Sequence, residues 1–341
     1  MNASRGTPAA VSMVLGGVLS VQLGAALAKS LFPELGPEGT VFVRLAAAAL
    51  VLGVITRRGP LSVVRTASRA PGPTIAFGAV LALMNLSFYL SLDRIPLGIA
   101  VTVEFLGPMA IAVWGARRAR DFAWPALAVL GVVALTDAGA ALTTGRLDPV
   151  GMALAAVAGA CWACYILLSK RVGEVVPGVG GLVVALTVGA LLLAPGGITR
   201  AGAAFLDVRL VLLGCGVGVL SAAVPFALEL VALRRLPART FGVLMSLELV
   251  VAALVGLVFL GERLGRGDVL GVLLVAVASA GAVLAAPSGR SGPVGPQPGA
   301  ELSVAAPVVG EPAVAAGPSV SGPAERDVTS PTTTIAGGRT P

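Results

Sequence analysis

Residues 70–92 read APGPTIAFGAVLALMNLSFYLSL, with no charged side chain among them. A helix of roughly 20 mostly apolar residues crosses a hydrocarbon core of about 30 Å. The stretch has that length, and it lacks the polar face that a helix on a soluble protein presents to water. It reads as a membrane-spanning helix. Nine further stretches read the same way. Residues 11–28, 45–56, 149–169, 175–199 and 269–289 carry no charge; 95–116 holds only Glu104, 122–145 only Asp137, 210–233 only Glu229 and 240–261 only Glu248. Flanking residues such as Gly39–Arg44 bring the shorter stretches to spanning length. The sequence predicts an all-α membrane protein with ten transmembrane helices. The first run continues through Lys29 into Leu31-Phe32-Pro33 without a cleavage site, so it reads as a retained helix and not as a signal peptide.

Composition agrees. Of 341 residues, 56% are hydrophobic and 12% charged, where a soluble domain carries about 25% charge; mean hydropathy is +0.94. A net charge of +7 first suggests an acidic partner such as nucleic acid. The basic residues, however, lie in small groups between the apolar runs, and counting them by loop gives a topology signal instead. With the N-terminus inside, fourteen Lys and Arg fall on the cytoplasmic side and seven on the other. Both termini are therefore expected in the cytoplasm and no nucleic-acid partner is expected. Histidine is absent and there are three cysteines, too few for a disulfide framework. Cys161 and Cys164 have C-x-x-C spacing but lie inside an apolar helix, which disfavours a redox or metal role. Residues 287–341 hold 10 of the 24 prolines among Gly, Ala, Ser and Thr, and read as a disordered cytoplasmic tail.

The two halves repeat. A shift of 141 residues sets Lys29 on Lys170, Gly39 on Gly180, and Leu92-Asp93-Arg94-Ile95-Pro96 on Leu233-Arg234-Arg235-Leu236-Pro237. Near the end a shift of 140 sets Val129-Leu130-Gly131-Val132 on Val269-Leu270-Gly271-Val272. The expected organisation is a short N-terminus (1–10), a five-helix unit (11–145), a second (146–286) and the tail (287–341). Five is odd, so the second unit enters the membrane from the opposite face. Such inverted repeats place a substrate site near the midplane between them, as in many secondary transporters.

Particular strings carry a more specific likeness. They include Gln22, Ala28-Lys29-Ser30-Leu31-Phe32-Pro33, Arg44-Leu45-Ala46, Asn85, Phe88-Tyr89-Leu90-Ser91, and Pro96-Leu97-Gly98-Ile99-Ala100-Val101 with Glu104-Phe105 and Gly107-Pro108. The second half adds Gly159-Ala160-Cys161-Trp162-Ala163, Tyr165-Ile166-Leu167, Leu228-Glu229, Leu236-Pro237, Arg239-Thr240-Phe241-Gly242, Leu244-Met245-Ser246, Glu248 and Leu260-Gly261-Glu262. Over residues 11–286 the chain resembles the EamA-type drug/metabolite transporters, and among them the bacterial threonine/homoserine exporters. The resemblance implies export of small amino acids across the bacterial plasma membrane, and no cofactor. It also implies a proline after the glutamate of the ninth helix. Leu249 stands there instead, while Pro108 is kept in the first half, so loss of that kink is expected.

Charges at membrane depth are costly, about 2.5–3.5 kcal/mol each even on the lenient insertion scale. Glu104 and Glu248 fall near the middle of their spans, Glu229 in the inner part of helix 8, and Arg44 and Asp137 nearer the outer ends of helices 2 and 5. A lone carboxylate away from water takes up either a proton or a substrate ammonium, so Glu104, Glu229 and Glu248 are candidates for proton coupling. Glu104 and Glu248 are also candidates for binding the amine, with Arg44 as the cation for a substrate carboxylate. Asn85 and Tyr89 lie four apart on one helix face; with Gln22 they offer uncharged hydrogen bonds to a zwitterion. A structural ion pair or an interhelical hydrogen bond is the alternative for each. Nothing resembles a nucleophile elbow, an H-E-x-x-H metal site or a Walker A loop, so an enzyme and an ATP-driven pump are disfavoured. A passive channel and an exporter of other metabolites or drugs stay open, as does the oligomeric state.

Overall fold

The computed structural model describes residues 6–55, 71–114, 122–135, 148–175, 180–225 and 238–285, and the isolated positions 65, 68, 228, 232 and 236. All lie in one compact unit, residues 1–306. Glu229, Asp137 and the stretch 287–341 lie outside the described residues. The described chain is helical: α1 (Gly6–Ser30), α2 (Phe32–Ile55), α3 (Pro71–Leu92), α4 (Leu97–Glu104), α5 (Leu106–Trp114), α6 (Ala123–Leu135), α7 (Pro149–Val175) and α8 (Gly180–Ala201). A 3₁₀ turn (Gly202–Leu206) leads to α9 (Val208–Gly218), which runs into a π turn (Val219–Ala223). Then come α10 (Ala238–Met245), α11 (Glu248–Phe259) and α12 (Arg266–Ala285).

Among the described residues, seven helical segments are long and apolar enough to cross a membrane, and three shorter apolar ones cover 97–111, 123–134 and 208–222. Their outer faces are as apolar as their inner ones: Leu50, Val54, Leu191 and Val258 are 68–70% exposed. In water such a surface would aggregate; against lipid it costs nothing.

Elements of the first half pack mainly on elements of the second. α3 lies along α7, α2 along α8, α6 along α12 and α4 along α11, while α1 meets α11, α10, α9 and the π turn. Because lipid is as apolar as leucine, burial adds little drive here, and close van der Waals approach at small residues takes its place. On α9, Gly214 faces the Val43 side chain and Gly218 faces Ala47 and the Arg44 carbonyl of α2. The G-x-x-x-G of the sequence therefore packs within the bundle. A Cβ on Gly98 of α4 would come within 2.7 Å of the Ala253 backbone of α11.

Two apolar stretches that look continuous in sequence are broken, and both breaks flank an acidic residue. α4 ends at Glu104 and α5 starts after Phe105. Pro108 has no amide to donate to the Glu104 carbonyl four residues back, which interrupts the helical ladder. α10 ends at Met245, Ser246-Leu247 form a turn, and α11 begins at Glu248. Leu249 therefore does not straighten this helix, contrary to the expectation from the missing proline. The last turn of α10 tightens instead, with Ser246 N and Leu247 N donating three residues back to Val243 and Leu244 at 3.1 Å. Ser246 Oγ donates to the Gly242 carbonyl at 3.2 Å and pairs with Ser279 Oγ of α12 at 3.0 Å; such back-bonding by serine bends helices. The two breaks, at Phe105 and from Ser246, lie 141 residues apart in the chain.

Arg44 is deeper than its charge suggested. α2 starts at Phe32 and bends at Gly36, whose φ of 69° precedes Pro37. Arg44 therefore sits about 18 Å from the helix start and about 16 Å from its end at 1.5 Å per residue. Reading a charge as the edge of a span placed it too near the surface.

Candidate functional site

Seven polar side chains from six elements meet inside the bundle. Gln22 of α1, Arg44 of α2, Asn85 and Tyr89 of α3, Glu104 at the end of α4, Ser221 of the π turn and Glu248 at the start of α11 line one cavity of about 40 Å³. Val21, Ala25, Met84, Phe88, Val101 and Trp162 supply its apolar wall. All seven polar residues are buried. The two helix breaks bring Glu104 and Glu248 here, because each glutamate sits at the end of a half-helix.

Arg44 organises one side. Its Nε donates to Ser221 Oγ at 2.8 Å, its Nη1 donates to Asn85 Oδ1, and its guanidinium lies 5.7 Å from the centre of the Tyr89 ring. Each of the two neutral partners is held by a second hydrogen bond. Asn85 Nδ2 donates to the Leu81 carbonyl at 2.9 Å, and Ser221 Oγ donates to the Val217 carbonyl at 2.6 Å. The π turn carries Ser221 to this point, and single π turns recur at functional sites. On the other side Gln22 Nε2 donates to Glu248 Oε1 at 2.8 Å. Two acceptors on residues that line the cavity have no hydrogen-bond partner: Glu104 Oε1 and Gln22 Oε1. A buried polar atom left unpaired costs about 1–3 kcal/mol, so both are places where a donor from a ligand would be favourable.

The structure thus gathers Gln22, Arg44, Asn85, Tyr89, Glu104 and Glu248 in one place. Sequence reasoning missed Ser221 and Trp162. Serine is too common in apolar helices to signal a site, and Trp162, edge-on to Phe105 at 5.3 Å, looks like any packed aromatic. Cys161 and Cys164 are free thiols, and among the described residues no cluster of three or more His, Cys, Asp or Glu has a metal-binding arrangement.

A polar clasp lies seven residues along α1 from Gln22, about 10 Å away. Lys29 Nζ pairs with Glu262 Oε1 at 2.8 Å and donates to the Ile95 carbonyl at 3.3 Å, while Glu262 Oε2 accepts the Leu97 amide at 2.9 Å. One carboxylate thus ties the end of α1 to the start of α4 and to the segment after α11, and it caps the positive end of α4. Glu262→Ala leaves two donors without their acceptor, and the three elements should separate more often. A cysteine at Ile95, which is 2% exposed, should then react with a membrane-impermeant maleimide about tenfold faster, the factor that 1.4 kcal/mol corresponds to. Equal labelling with and without Glu262 would show that the clasp holds nothing shut.

The EamA-like transporter family model matches residues 149–284. The threonine/homoserine exporter RhtA of Salmonella typhimurium (strain SL1344) is 43% identical over 265 residues, 78% of this chain and 88% of that protein. RhtA of Escherichia coli (strain K12) is 42% identical over 274 residues, 80% of this chain and 91% of that one. The chain belongs to the EamA-like transporter family. A solved crystal structure, 20% identical, covers 84% of this chain and 99% of its own with a TM-score of 0.53; it supports the fold alone. As a member of the EamA-like family the protein is a multi-pass membrane transporter, in keeping with its exposed apolar faces. The family match covers α7 to α12, whereas the cavity also draws Gln22, Arg44, Asn85, Tyr89 and Glu104 from the half before it.

Proposed function

We propose that the protein is a secondary active exporter of small amino acids, threonine and homoserine, moving them across the bacterial inner membrane by proton-coupled alternating access. The observation that carries this reading is the convergence of one buried guanidinium and two buried carboxylates on a single cavity. An amino acid in water is a zwitterion, and such a cavity offers a counter-charge to each end. In this reading Arg44 takes the substrate carboxylate and Glu104 the ammonium, with Asn85 and Tyr89 keeping the guanidinium in place. When the substrate leaves, Glu104 or Glu248 takes a proton in place of the ammonium, since an ionised carboxylate is costly to hold in the bilayer. Export of threonine and homoserine is what the names of the 42–43% identical relatives state of them.

Ten spans arranged as two inverted five-helix units, 11–145 and 146–286, complete the proposal, with both termini in the cytoplasm. Support comes from the 141-residue separation of the two helix breaks and from the packing pattern. Under that shift α1 corresponds to α7 and α3 to α9 with the π turn; α3 packs on α7, and α1 packs on α9 and the π turn. Two units related by a rotation produce such reciprocal pairs. The test is counterflow of labelled threonine in proteoliposomes, with and without an imposed pH gradient. Wild-type protein should accumulate threonine against its gradient when the proton gradient is present. Glu104→Gln should abolish that accumulation. Threonine flux that keeps its pH response in both Glu104→Gln and Glu248→Gln would remove both glutamates from proton coupling, and absence of any amino-acid flux would remove the substrate.

A further inference from the structure

We infer that Gln22 is the residue that reads the substrate's side-chain hydroxyl, and so sets preference for hydroxy amino acids over apolar ones of the same shape. The inference rests on the amino-acid reading above and deepens it. Gln22 is 2% exposed and lines the cavity from α1. Its amide cannot rotate freely, because Nε2 donates to Glu248 Oε1 at 2.8 Å. An ionised carboxylate only accepts, so while Glu248 is ionised this bond keeps the nitrogen on Glu248 and turns Oε1 away from it. That oxygen has no hydrogen-bond partner.

Charge decides which part of the ligand each unpartnered acceptor takes. An ammonium loses more on leaving water than a hydroxyl does, and it is repaid best by an ionised acceptor; of the two, only Glu104 Oε1 belongs to a group that ionises. Gln22 Oε1 is neutral and suits a neutral donor. Two other neutral side chains, Asn85 and Ser221, each already bridge Arg44 to a backbone carbonyl. Arg44, Glu104 and Gln22 stand on three different helices, so carboxylate, ammonium and hydroxyl each meet a separate wall. A site built to hydrogen-bond a hydroxyl rejects an analogue without it more strongly than an apolar pocket rejects a missing methylene, because the site's polar group is then left buried and unpaired.

The acceptor geometry makes a specific demand: the substrate hydroxyl must donate. In proteoliposomes loaded with threonine, competition for labelled-threonine counterflow is measured with unlabelled threonine, valine (methyl in place of hydroxyl) and O-methylthreonine (oxygen kept, hydrogen lost). Wild type should prefer threonine over both analogues by about tenfold or more. In Gln22→Met the preference, read as the ratio of threonine to valine competition within one protein, should collapse to within about threefold; Gln22→Leu repeats the change with a different shape. Wild type that accepts O-methylthreonine as well as threonine overturns the inference without any variant. So does a Gln22→Met protein that keeps its preference, or one that loses valine and threonine equally, which would put Gln22 on the common amino-acid backbone. If wild type moves no amino acid at all, the substrate reading fails and this inference fails with it; if wild type moves threonine without favouring a hydroxyl donor, this inference alone fails.

Discussion

Replacing Arg44 by Gln is expected to reduce threonine counterflow by at least about 100-fold, the factor that roughly 3 kcal/mol represents. Arg44 is 5% exposed and joins α2 to two further elements: α3 through Asn85 and Tyr89, and the π turn through Ser221. Removing it takes away the cavity's cation and leaves two buried oxygens with an unused lone pair. Arg44→Lys keeps the charge, but an ammonium on a flexible stem cannot serve Ser221 and Asn85 with one planar fork while lying over the Tyr89 ring. A loss of about tenfold is expected for it, mainly as weaker substrate binding. The two variants separate charge from geometry, with monodispersity in detergent as the folding control. Arg44→Gln protein with flux within twofold of wild type would show that a substrate carboxylate does not bind there.

Why the polar members of this site are legible in the sequence follows from the solvent. In an apolar helix a polar side chain cannot face lipid cheaply, so Gln22, Arg44, Asn85, Glu104 and Glu248 had to point at one another or at a cavity. The sequence does not tell how deep each lies or which helix faces which. Arg44 looked peripheral because a charge was read as the edge of a span, whereas α2 begins seven residues before Gly39. The break ahead of Glu248 looked lost with the proline, yet serine hydrogen bonds and a tightened last turn keep it. Ser221 is invisible because a serine can donate to a carbonyl of its own helix anywhere in a membrane span, and Trp162 because it looks like any packed aromatic.

The glycines explain how two glutamates at helix breaks are held in register, and they give the second large effect. A Cβ on Gly107 would lie 1.8 Å from the Gly159 carbonyl oxygen of α7, and a Cβ on Gly159 would lie 2.6 Å from the Glu104 carbonyl oxygen. Both obstacles are backbone, so no side-chain rotation relieves them. α5 and α7 must move apart, and the half-helix carrying Glu104 must move with them. Overpacking of this kind costs about 1–3 kcal/mol or more. For a chain of this size that corresponds to a fall of roughly 2–4 °C in the thermal midpoint. Gly107→Ala should show that fall in detergent and lose most counterflow, because Glu104 is shifted from the cavity. Gly216→Ala is the matched control: it adds the same methyl where nothing lies within 4 Å, and alanine favours a helix over glycine by about 1 kcal/mol. Its midpoint should stay or rise and its transport should be unchanged. If Gly107→Ala melts with wild type, the contact between α5 and α7 yields easily, and the position of Glu104 has to be set by the Pro108 break alone.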